Sequence, residues 1–150
     1  MFLAVLLASL SLHVHPSEID SLLRELDMSI RNRPQYTLKR QEQIDALQRK
    51  LRLSHSDQER YDLYRELFGK YRSYRMDSAL WVANQRVELA KRMKNPLYIR
   101  SAELNIAEVM IGVAMYKEGP EILDGIKSAD LDASGVSYYY YPVSYTHLTL

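Results

Sequence analysis

Residues 56–93 read SDQERYDLYRELFGKYRSYRMDSALWVANQRVELAKRM. Within them Tyr61, Tyr64, Leu67, Phe68, Tyr71 and Tyr74 recur three or four apart, which lines them along one face of a helix. A helix this apolar on one side, followed at once by a second amphipathic helix, has to bury that side against neighbours. Stacked helix pairs do so, each pair covering the next. The same tyrosines could in principle be stacking platforms for bases or sugars. Their helical spacing favours core and inter-helix packing instead.

The two ends differ from this middle. All 20 basic and 19 acidic residues lie between Glu18 and Asp132, and the net charge is +1. Residues 2–12, FLAVLLASLSL, form an apolar run too short to cross a bilayer as a helix. With small residues Ala8, Ser9 and Ser11 nearby, the run matches the apolar core of a secretory signal peptide, expected over residues 1–15. At the other end, residues 142–150 read PVSYTHLTL, charge-free and rich in β-formers, with no partner strand in sight. This segment is similar to translated sequencing adaptor, so it is expected to be an artefactual tail on a truncated chain.

Between the ends the reading is all-α: antiparallel helical hairpins. A first helix starts at Pro16 and Ser17, carries Ile19, Leu22, Leu23, Leu26 and Ile30, and is expected to stop at Asn32-Arg33-Pro34. A second runs from Gln35 to Leu53 with a sparse seam of Ile44, Leu47 and Leu51. That seam suits packing on the first helix, or self-association into a homodimer. Residues 16–55 are thus read as a two-helix arm, and 56–141 as the repeats. Ser56 with Glu59 three residues on forms a capping box for the tyrosine helix. Leu80, Ala83, Val87, Ala90 and Met93 stripe the next helix, Asn95-Pro96 turns the chain, and Leu97, Ser101, Leu104, Ala107, Ile111 and Met115 stripe the one after. A short helix holds Ile122, Leu123 and Ile126, and residues 136–141 begin another.

Chemistry leaves little trace. With no cysteine there is no disulfide, thiolate nucleophile or cysteine metal site. His13 and His15 lack a third ligand nearby, His55 sits in a polar break, and His147 is in the tail. No HExxH, GxSxG or phosphate-cradling loop occurs, so no catalytic, cofactor or metal residue is assigned. Lys39, Arg40, Arg49, Lys50 and Arg52 make a basic patch diluted by nearby acids, and the near-neutral total offers no field for a phosphate backbone. Nucleic acid is not an expected partner.

Residues 97–126 resemble a tetratricopeptide repeat. Ile106 and Ala107 take the Leu-Gly places, Met110 the first Tyr place, Tyr116 the inter-helix aromatic place and Gly119 the small residue of the second helix. Tyr61–Met93 resembles a further, irregular unit. The order Leu22-Leu23-x-x-Leu26-Asp27, Arg33-x-x-Tyr36, Ile44-x-x-Leu47-x-x-x-Leu51, then Glu59-Arg60-Tyr61 through Asp77-Ser78-Ala79-Leu80, is similar to the N-terminal half of a Bacteroidetes family of membrane-anchored regulators with periplasmic tetratricopeptide repeats. The resemblance implies export to the periplasmic side, anchoring in the inner membrane through a part beyond this chain, and a role in signalling or transcriptional regulation. It assigns no catalytic residue.

On that repeat alignment Arg65, Arg72, Asn105 and Glu108 face a concave groove. Grooves of this kind hold extended peptides through side-chain hydrogen bonds and small pockets. The expected function is protein or peptide binding without catalysis. The alternatives are a passive assembly module, or part of an exported enzyme whose site lies beyond residue 141.

Overall fold

A computed structural model describes residues 16–115, 117–133 and 135–140, with the side chains of 16 and 17 left aside. The expected signal segment, Tyr116, Tyr141 and the tail 142–150 fall outside the described residues. Among those described, every regular element is helical. In order they are α1 (Pro16–Leu53), α2 (Asp57–Tyr71), α3 (Met76–Arg92), α4 (Pro96–Gly112), α5 (Glu118–Asp124) and a 3₁₀ turn at Ser128–Asp130, followed by helical residues 135–140. The all-α reading holds. Two compact units divide the chain, Met1–Gln41 and Glu42–Leu150.

The expected break at Asn32-Arg33-Pro34 is absent. Pro34 lies inside α1, a single helix of 38 residues, so the arm is one helix and not two. Proline removes one backbone donor and crowds the carbonyl four residues back, a cost of about 3 kcal/mol. Good helix formers on both sides, Arg31 before and Gln35, Leu38 and Lys39 after, keep the helical path despite it. The Thr37 hydroxyl donates to the Arg33 carbonyl at 3.0 Å, one turn along the same path. In the first unit, Ile19, Leu22, Leu23, Leu26 and Ile30 are exposed, as the first-helix stripe has no second arm helix folded back on it.

The second unit packs in chain order: α2 on α3, α3 on α4, α4 on α5. Ile44 and Leu47, in the last part of α1, are buried among Leu63, Leu67, Phe68, Ala79 and Val82. That seam meets α2 and α3, which corrects both the expected partner and its availability for self-association. Tyr61, Val87, Leu89, Ala90 and Ala102 form the next cluster, and Leu104, Ala107, Leu123, Ile126 and Leu131 the one after. Alanines 79, 83, 90, 102 and 107 are wholly buried, and their small size lets the helix axes approach.

Local signals set the joints. Ser56 caps α2 by accepting the Glu59 N–H at 3.4 Å. The Glu59 carboxylate accepts from the Ser54 hydroxyl at 2.7 Å, which shifts the far half of the expected capping box by two residues. α2 ends at Tyr71, so Tyr74 falls beyond it and is exposed. After α3, Lys94 takes a left-handed conformation (φ 52°) and the Asn95 N–H closes back on the Ala90 carbonyl at 3.1 Å. Asn95 then caps α4, accepting from the Tyr98 N–H at 3.2 Å, with Pro96 in the first turn.

Candidate ligand cleft

The periodicity that buries Leu67 and Tyr71 turns Arg65 and Arg72 toward another side of α2, with Phe68 both buried in the core and lining the cleft. Across from them α4 presents Tyr98, Ser101 and Asn105, spaced three and four apart. Between these faces lies a cleft of about 320 Å³, lined also by Arg86 of α3 and by Tyr138. This is within the range of small-ligand pockets.

The aromatic part is ordered by one phenol. Tyr61 stacks on Tyr98 with ring centroids 4.5 Å apart and planes 9° from parallel, and its hydroxyl donates to the Tyr98 carbonyl at 2.8 Å. Burial raises the Tyr61 pKa, partly opposed by the Arg86 cation. The Arg86 guanidinium carbon lies 4.4 Å from the Tyr61 ring centre, in the range of a cation–π contact. Its Nη1 donates to the Asn105 amide oxygen, and the Asn105 amide nitrogen donates to the Tyr138 hydroxyl at 3.2 Å. Burial lowers the Arg86 pKa, yet a guanidinium keeps its proton in a protein.

Three of the four groove residues expected from the sequence, Arg65, Arg72 and Asn105, line this cleft. Arg65 pairs with Asp62 one turn earlier at 3.2 Å. Glu108 stands behind the lining, joined to it by an ion pair with Arg72 at 3.1 Å. The second Glu108 carboxylate oxygen is buried with no partner, and burial raises the Glu108 pKa against the opposing pull of Arg72.

Arg86 is the residue that pattern reading missed. It falls on the face of α3 that carries Ala79, Ala83 and Ala90, three or four positions from its neighbours. A cation within an alanine stripe was the available signal. Arginine normally marks a solvated face, which masks that signal.

Helix hairpins stacked in chain order, with small residues at their crossings and a polar cleft across them, define a helical-repeat domain of the tetratricopeptide kind. The chain belongs to the family described as SusR N-terminal TPR domain, whose model matches residues 30–149. The match accords with the expected likeness to the repeat region of a Bacteroidetes regulator. Among curated proteins and solved structures nothing matches the chain. Domains of this repeat class generally mediate protein–protein interactions.

Proposed function

We propose that this domain is the non-catalytic, ligand-sensing segment of a membrane-tethered signalling or transcriptional regulator, and that it takes an extended protein or peptide segment into the α2–α4 cleft. The cleft itself carries this reading. Arg65 and Arg72 on the α2 side and Tyr98, Ser101 and Asn105 on the α4 side line it, a mixture of aromatic surface and directed polar groups of the kind that holds a peptide backbone and its side chains. Asp62 and Glu108 pair with Arg65 and Arg72, which fixes the positions of the polar groups that a bound segment would meet. Placement on the periplasmic side belongs to the same proposal and rests on the apolar run at residues 2–12 and on the family resemblance.

Selection of a displayed random-peptide library on the purified chain tests the binding claim. Enriched peptides should bind Arg65→Ala and Arg72→Ala several-fold more weakly, and since both side chains are exposed each variant should remain folded. Equal binding to parent and variants would remove the cleft from the account.

A further inference from the structure

Residues 18–40 of α1 are exposed throughout, and they carry Ile19, Leu22, Leu23, Leu26 and Ile30 in one stripe. A helical stretch of this length, about 35 Å, is marginal in water by its own hydrogen bonds and depends on packing of its apolar face. Ile19, Leu23, Leu26 and Ile30 occupy the two alternating core positions of a heptad. Continued along the helix, those positions fall on Arg33, Thr37 and Arg40. The seam therefore changes from apolar to basic part-way along.

The charges segregate in the same way. Residues 18–27 hold Glu18, Asp20, Glu25 and Asp27 against Arg24 alone, a net −3. Residues 28–41 hold Arg31, Arg33, Lys39 and Arg40 with no acid, a net +4. The helix dipole favours acids in the first turn only, so it does not account for Glu25 and Asp27. A second copy laid parallel and in register would set Arg33 on Arg33, Arg40 on Arg40 and each acidic stretch on its like, which repels. Turned end for end about residue 29, the second copy sets acidic stretch on basic stretch twice over and brings Leu26 opposite Ile30.

We infer that residues 18–40 of α1 form an antiparallel two-helix interface with the same residues of a second copy, crossing near Ser29. The apolar stripe supplies the attraction and the segregated charge sets the orientation. The occupant is a second copy because one sequence supplies both halves of the complementary charge. No residue of the α2–α4 cleft is used, so the interface stands or falls apart from the ligand reading.

The chain has no cysteine, so a single introduced one can carry a spin label without background. Ser21→Cys, Met28→Cys and Gln35→Cys are seven apart, on the side of α1 away from the stripe. In the labelled full-chain dimer, the distance between identical labels should be shortest at residue 28 and roughly 5–10 Å longer at 21 and 35, which lie further from the crossing. Equal distances at all three positions mark a parallel pair and overturn the inference. Sedimentation equilibrium should show dimerisation weakened roughly tenfold by Arg31→Glu with Arg33→Glu, and restored when Glu25→Lys and Asp27→Lys are added to the same chain. Dimerisation indifferent to the first reversal, or not recovered by the second, overturns the charge-set orientation. A chain monomeric at every concentration overturns the inference, as does one that dimerises only after residues 1–15 are removed, which assigns the stripe to that segment. Where circular dichroism shows that a charge variant loses helix as well as pairing, the label distances decide.

Discussion

The Arg86 guanidinium lies against the face of Tyr61, 4.4 Å from the ring centre, so α3 places its one buried cation on the same ring that α4 stacks from Tyr98. Tyr61 therefore has separable roles: its ring covers Arg86, and its hydroxyl ties α2 to the start of α4. Tyr61→Phe keeps the first and deletes the second, and should cost about 0.5–1.5 kcal/mol. Tyr61→Ala removes both and should cost about 3–5 kcal/mol. Urea unfolding followed by circular dichroism measures the two losses. Equal losses would show that the ring contributes nothing beyond its hydroxyl.

Two glycines should respond to alanine with opposite signs. At Gly119 a Cβ would stand 2.6 Å from Ile111 Cγ1 and 3.4 Å from the Ala107 carbonyl, where α5 crosses α4. The overlap should outweigh the gain in helix propensity, leaving Gly119→Ala less stable by about 1–3 kcal/mol. Gly69, inside α2, has nothing within 4 Å of that position, so Gly69→Ala should stabilise by about 0.5–1 kcal/mol. Thermal melts of both variants check the pair.

Glu108 should make stability fall with rising pH. Burial, the larger effect, raises its folded pKa above the usual glutamate value in spite of Arg72. The folded chain then holds this proton to higher pH than the unfolded chain does. Its stabilising contribution is full below the unfolded pKa of about 4.3 and is lost as pH climbs through the raised folded value. Comparing parent with Glu108→Gln in urea at a series of pH values isolates this component. The parent should lose ground to the variant across that window; the opposite slope would mean that the Arg72 ion pair dominates.

The stripe of Ile19, Leu22, Leu23, Leu26 and Ile30 on α1 is exposed, and its spacing predicts self-association of the chain. Sedimentation equilibrium should show the chain dimerising, and Leu22→Glu with Leu26→Glu should return it to monomer. The melting temperature of the unit at residues 42–150 should stay unchanged, since neither leucine contributes to its clusters. A monomeric parent at high concentration would refute the assignment.

Much of the cleft was legible beforehand because helical period alone decides which residues share a face. Arg65 and Arg72 are seven apart on α2, and Asn105 fits the corresponding face of α4, so all three reach the same cleft. Ala107 and Gly119, read as the small residues at a helix crossing, do meet there. Glu108 is one step off that face and enters only through Arg72.

The sequence by itself determined the local facts: an all-helical chain, the cap at Ser56, the turn at Asn95-Pro96 and the apolar face of α2. Each depends on residues within one or two turns, where hydrogen bonding and side-chain direction are nearly fixed by chain geometry. Only the tertiary structure decided which neighbour each face would meet. The Ile44–Leu47 seam found α2 and α3, α1 ran on through Pro34, and Arg86 was buried beneath Tyr61 and beside Asn105. The energy of burying a group depends on side chains brought in from other helices, and no period along one helix contains them.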